Sequence, residues 1–253
     1  MAHQPCRAVL AAGRRRLFST TTSRPDALSD TIRNSRLGAE PPQVEKPRWS
    51  QTPERMKAPL QMDFARDPRN KIWAVNNDPA RLDEMYTRLL GPGGSRLLPE
   101  ELKWLAVTHK SFDQGRRGFN DRLALMGRMA LIMEATTHII SLPPLKGTDF
   151  PDPYKRKPFS HPQLASIDNL AIEGPRHVVG KEKLYALALA VGMGSVVRWK
   201  PRMTHRLHES GVEVVFSAAI MAVIGAIHLQ HGAAVSSDII RDRIILRLPK
   251  STV

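Results

Sequence analysis

Residues 98–128 read LPEELKWLAVTHKSFDQGRRGFNDRLALMGR. Leu98-Pro99-Glu100-Glu101 is a helix start, with proline ahead of the first turn and acids inside it. It leads into LKWLAVTHKSF, then a polar glycine-bearing loop, then a helix over about 120–139. Working outward, Asp78-Pro79 is an N-cap with proline at the first helical position. Gly91 closes that helix, and Leu82, Met85, Tyr86, Leu89 and Leu90 form its apolar stripe. The following Gly91-Pro92-Gly93-Gly94 lacks Gly-Lys-Ser/Thr and is a helix stop, not a phosphate loop. Downstream, 141–160 is a proline-interrupted loop. Leu184, Leu187, Ala188 and Val191 mark a helix ending at Gly192–Gly194. An apolar helix is expected over 212–229, and a basic one over about 236–247. No strand-type alternation persists, so the domain, about 78–248, reads as all-α.

The whole chain has 253 residues, is 42% hydrophobic, and carries 38 Lys+Arg against 24 Asp+Glu, a net charge of +14. That excess points to a polyanionic partner, RNA or DNA before an anionic membrane surface. Cys6 is the only cysteine, which excludes an intramolecular disulfide and a Cys-based zinc site. The first 25 residues hold five arginines, a Ser/Thr run and no acid, the composition of a mitochondrial transit peptide. Cleavage is expected between Phe18 and Ser19. Loss of 1–18 leaves 34 Lys+Arg against 24 Asp+Glu, so the mature chain keeps +10. Residues 19–77 are rich in Pro and Arg and are expected to form an extended arm. Within it, Trp49, Phe64 and Trp73 anchor either on a partner or on the chain's own core. Residues 214–237 contain no Asp, Glu, Lys or Arg, yet the apolar run stops near Leu229, before Gln230, His231 and Gly232. A buried core helix is favoured over a membrane span.

Thr108-His109-Lys110-Ser111, followed by Asn120-Asp121-Arg122-Leu123-Ala124-Leu125-Met126-Gly127-Arg128, resembles the ribonuclease III signature, which runs T-H-x-S, then N-E-R-L-E-F-L-G-D. Ala218–Ile227 resembles that family's second motif, D-x-x-E-A-L-I-G-A-I, and Lys183–Gly194 the helix between them. The resemblance implies the ribonuclease III endonuclease-domain fold. In the family, four carboxylates on two helices hold two divalent ions for phosphodiester hydrolysis. Matched one at a time, the first Glu falls on Ala124 and the Asp of the same helix on Arg128. The second motif's Asp falls on Ala218 and its Glu on Met221. Asp121 keeps the remaining acidic position, but one acid does not hold a metal pair. A guanidinium about 4 Å from a divalent ion is repelled by roughly 8 kcal/mol at an effective dielectric near 20. No metal, no cofactor and no catalysis are therefore expected, and Ala218 and Met221 are expected to become ordinary core. Gly127 and Gly225 mark positions where helices pack closely. Only Pro249–Val253 follow the last helix, so the double-stranded-RNA-binding domain usual in catalytic members is expected to be absent.

Targeting, basic arm and degenerate motifs together resemble the ribonuclease III-like proteins of fungal mitochondrial large ribosomal subunits. That resemblance implies a matrix location and a structural role on large-subunit rRNA among neighbouring ribosomal proteins. It also implies a dimer with another ribonuclease III-like ribosomal protein, a second copy or a paralogue. The alternatives are a mitochondrial double-stranded-RNA endonuclease and an RNA-processing or assembly factor.

Three basic clusters are the candidate RNA contacts. Lys155, Arg156 and Lys157 lie in a loop flanked by Tyr154 and Phe159, where cations neutralise phosphates and rings stack on bases. Arg198, Lys200, Arg202 and Arg206 lie just before the second motif. Arg116 and Arg117 are expected to be exposed between the halves of the first motif, near Lys110, whereas Arg122 is expected to pair with a carboxylate. His109 is expected to be structural, and His228 with His231 lacks the further ligands of a zinc site.

Overall fold

The structure is a computed structural model. It describes residues 47–51, 68–145, 152–156, 159 and 161–249, all within the unit Lys46–Val253. The transit segment with Phe18 and Ser19, most of the arm including Phe64, and Lys157 lie outside the described residues. Among those described the chain is helical and has no strand. Its helices are α1 (Pro79–Leu90), α2 (Glu100–Ala106), α3 (Asp121–Ser141), α4 (Asn169–Ile172), α5 (Pro175–Val178), α6 (Lys181–Ala190) and α7 (Val212–Ile239).

Local chemistry sets the helix ends. Asp78 Oδ1 accepts from the Ala80 amide at 2.9 Å, Pro79 opens α1, and Gly91 ends it at φ 93°. The carbonyls of Arg88 and Leu89 at the α1 C-terminus accept from Arg247 Nη1 at 3.1 and 3.2 Å. A cation is favourable there, because the terminal carbonyls carry uncompensated negative dipole.

The crossing of α3 and α7 is the centre of the molecule. Every fourth residue of α3 faces inward: Leu123, Gly127, Leu131, Ala135 and Ile139 are buried. From α7, Ala219, Ile220 and the run Ala222–Ile227 are buried. A Cβ on Gly127 would lie 1.7 Å from the Met221 carbonyl oxygen, and one on Gly225 would lie 2.0 Å from that of Leu123. The helices therefore touch backbone to backbone, closer than any side chain permits.

The two helices expected over 212–229 and 236–247 are both present: they share the range of α7 but meet at a kink, where the Gly232 backbone is not helical (φ 84°, ψ 179°). α7 then continues through a π turn, Ile240–Ile244, and a 3-10 turn, Ile245–Arg247. Order also begins before Asp78. Trp49 stacks on Trp104 with centroids 4.5 Å apart, and Trp73 meets Trp199 edge-on at 5.8 Å. Of the two anchoring choices for these rings, the chain's own core takes both, because each ring finds a second indole to bury against. Finally, α3 and the stretch Val212–Arg247 are each long and apolar enough to cross a membrane, but the latter is mostly buried inside the protein.

Candidate functional site

The residues of the first motif build a clasp. The His109 amide donates to the Arg198 carbonyl and the Arg198 amide to the Val107 carbonyl, both at 2.8 Å, which joins the end of α2 to the strand-like turn before α7. Thr108 Oγ1 donates to the Trp104 carbonyl at 2.7 Å, and Asn120 Nδ2 to that of Ala106 at 3.0 Å. Ser111 Oγ lies 2.9 Å from His109 Nδ1 and accepts from the Lys200 amide at 3.0 Å. Burial holds the His109 imidazole below its ordinary pKa; Asp121 opposes this shift, and Lys110 adds to it. His109 is thus a neutral structural hinge-pin at pH 7.

On the opposite flank, Ala124 and Arg128 of α3 meet Ala218 and Met221 of α7 around one open pocket of about 610 Å³. Leu131, Ile132 and Val179 also line it, and Asp121, Arg176 and Lys181 stand around it. Ala218 and Met221 are half-buried, so the expectation that they become ordinary core holds only in part: Met221 packs against the core, but both residues still line the open cleft. Asp121 is held by Lys110 Nζ at 3.1 Å, and Lys181 by Glu213 at 3.0 Å. The Lys181 ammonium, then the nearby His208, hold the Glu213 carboxyl below its usual range. Arg128 and Arg176 are exposed and make no ion pair among the described residues. No group of three His, Cys, Asp or Glu side chains placed to hold a metal occurs among those residues. Sequence reading missed Arg176 and Lys181, since neither lies in a motif.

The basic candidates are not brought together. Arg198 is 1% exposed, so its assignment to RNA contact is corrected. Its guanidinium donates to the carbonyls of Asn76 at 3.1 Å and Trp49 at 3.1 Å, and to Asn77 Oδ1 at 2.8 Å. It also lies 3.9 Å over the Trp104 ring. Burial, then the nearby Arg117, push its pKa down to about 10, so it stays charged at neutral pH. Such a cation is tolerated because carbonyl dipoles and ring faces replace its water. Arg116 and Arg117 are not the exposed pair expected: their side chains are 17% and 18% exposed, and both bind Asp113, at 2.6 and 3.2 Å. Arg122, expected in an ion pair, is exposed and has none among the described residues.

Lys155, Arg156, Arg202 and Arg206 are exposed, and Lys200 is half-buried. Arg156 binds Asp152 at 2.8 Å and Arg206 binds Glu209 at 3.1 Å. Tyr154 and Phe159 are 78% and 83% exposed, a large apolar outlay for a loop. His228 Nδ1 meets Ser236 Oγ at 2.8 Å and His231 Nε2 meets the Leu97 carbonyl, so the two rings are engaged across the Gly232 bend.

Comparison with known proteins gives three findings. The family described as ribonuclease-III-like matches residues 99–248. The large ribosomal subunit protein mL57 of Neurospora crassa is 49% identical over 212 residues, which is 83% of this chain and 79% of that protein. The crystal structure of the nuclease domain of ribonuclease III from Campylobacter jejuni aligns with a TM-score of 0.44 and 19% identity, over 69% of this chain and 99% of that one.

Proposed function

Because the chain belongs to the ribonuclease III-like family, we propose that it is a structural constituent of the mitochondrial large ribosomal subunit, engaging rRNA through a non-catalytic ribonuclease III-like domain. The observation that carries this is the 49% identity, over most of both chains, to a large ribosomal subunit protein. The acid-free, arginine-rich start of the chain supports the mitochondrial location, with Phe18–Ser19 as the processing point.

The absence of catalysis rests on the pocket. The paired divalent ions of the nucleases need a cage of oxygen ligands, and this lining does not fit them. Ala124, Ala218 and Met221 supply no hard oxygen donor, Arg128 supplies a cation, and Asp121 is held by Lys110. Only one carboxylate stands where a two-metal site needs several, so no hydrolytic step is derived.

Two surfaces support RNA contact. One is the loop of Lys155 and Arg156, next to Lys157 in sequence, with the exposed rings of Tyr154 and Phe159. The other is Lys200, Arg202 and Arg206. On both, cations meet phosphates, and on the first, rings are free to stack on unpaired bases. Arg116 and Arg117 contribute less, because their side chains are mostly buried against Asp113. The outward face of α3 supports pairing with another ribonuclease III-like ribosomal protein. Leu125, Met129 and Met133, four residues apart, are 60%, 64% and 68% exposed and form a continuous apolar ridge.

Sedimentation of mitochondrial extract tests the assignment. The chain is expected in the large subunit at one copy per particle, retained through a wash at about 0.5 M salt, where non-specific phosphate contacts are lost. Its appearance only in lighter fractions would assign it instead to an assembly or RNA-stability role.

A further inference from the structure

The pocket between α3 and α7 has changed sign, not simply lost a function. Four of its polar groups fall into two classes. Asp121 and Lys181 are neutralised, by Lys110 at 3.1 Å and Glu213 at 3.0 Å. Arg128 and Arg176 have no ion pair among the described residues. α6, ten residues long, begins at the same pocket, and its N-cap Gly180 offers no side chain to the free amides of its first turn. Two guanidiniums without an ion pair among the described residues and a helix start without a side-chain cap thus line one opening, and all three favour an anion.

The floor of the pocket says what kind of anion. Ala124, Leu131, Ile132, Val179, Ala218 and Met221 are apolar, and the floor continues through Leu125 onto the exposed ridge of Met129 and Met133. A phosphate backbone gains nothing from such a floor. A side chain with an apolar stem and a carboxylate head satisfies both the floor and the rim. We propose that this pocket is a carboxylate socket: it receives an Asp or Glu side chain from an apolar segment of a different protein that covers α3, with Arg128 and Arg176 gripping the carboxylate. The proposal rests on α3 being a pairing face and adds the chemistry its partner must carry. The α3 helix of a second copy offers no free acid. On α3 itself Asp121 is bound to Lys110, and Glu134 has a 12% exposed side chain beside Arg241.

Two measurements on the full chain, in whichever native particle carries it, separate the pairing face from the socket. A benzophenone placed at Met133 reports what covers the ridge under illumination. Arg128→Lys keeps the charge and presents an amine, which a zero-length carbodiimide couples to an adjacent carboxylate, with Arg122→Lys as a reagent control. The expected result is a Met133 adduct to a second protein and an amide from position 128 to an Asp or Glu of that same protein. A protein adduct at Met133 with no amide at position 128, or an amide only to the chain's own Asp121, overturns the socket and leaves the pairing face standing. RNA or a second copy at Met133, or no adduct there, overturns both. In parallel, Arg128→Glu should lower partner retention about tenfold or more while Arg128→Lys holds it within about twofold. Equal retention by the two, with matching melting curves, also overturns the socket.

Discussion

Arg198 and Arg128 present the same functional group in opposite settings on two flanks of one domain. Around Arg198 the guanidinium is sealed in, with two carbonyls, an amide oxygen and the Trp104 face in place of water. Around Arg128 it stands exposed at an open pocket, beside Arg176 and without an ion pair among the described residues. The difference teaches that an arginine's role follows from whether neighbouring acceptors consume its donors. On the first flank the cation is part of the fold. On the second its bonding capacity is left over for another molecule.

The strongest way to break the contrast is to remove the frame both flanks share. Gly127→Ala puts a methyl where the Met221 carbonyl oxygen lies 1.7 Å away. It should cost about 4 kcal/mol or more, since two backbones must separate. The expected outcome is insoluble or molten protein, read by circular dichroism and thermal melting. A cooperative melt within about 3 °C of the parent would show that the helices do not cross as described.

Next in size is Arg198→Met, which keeps the apolar volume but strands the Asn76 carbonyl and the Asn77 side-chain oxygen, and leaves the Trp49 carbonyl to Arg117 alone. A loss of about 3 kcal/mol is expected, or roughly a 10 °C lower melting temperature. Protease should then cut first near residues 47–51, because one of the two bonds that hold the Trp49 carbonyl is gone.

A smaller effect lies in pH. The folded pKa of His109 lies below its unfolded value near 6.5, so the unfolded chain binds more protons between those two values. The contribution of neutral His109 is therefore whole above pH 6.5 and declines as pH falls through 6.5 towards the folded pKa. Urea midpoints at about pH 7.5 and about pH 5.5 should show this loss, and His109→Gln should flatten it. An unchanged slope in that variant would place the titrating group elsewhere.

The smallest effect on folding is expected at Arg128. Arg128→Ala should move stability by no more than about 0.5 kcal/mol, as at other exposed sites without partners. Arg128→Asp should yield no magnesium-dependent cleavage of duplex RNA, because Ala124, Ala218 and Met221 still offer no metal ligand. Cleavage by that single variant would overturn the assignment of the four positions.

Short-range information determined much of this protein from sequence alone. Caps and breakers such as Asp78-Pro79 and Gly91 act on amides within a few residues, so the longer helices and the all-α class could be read directly, though not the short α4 and α5. The two glycine-bearing motifs also marked the close approach of Gly127 and Gly225, since the absence of a Cβ is itself a local fact. Other features required partners far along the chain. Arg198 lies 149 residues from Trp49 and 122 from Asn76, and nothing near it in sequence indicated that its donors were taken. The same holds for Trp73 against Trp199, and for Arg176 and Lys181, which share the pocket with Arg128 only because α5 packs on α3 and α6 on α7. Local sequence sets backbone preference, but whether a polar group is buried, paired or left free depends on what tertiary packing places around it.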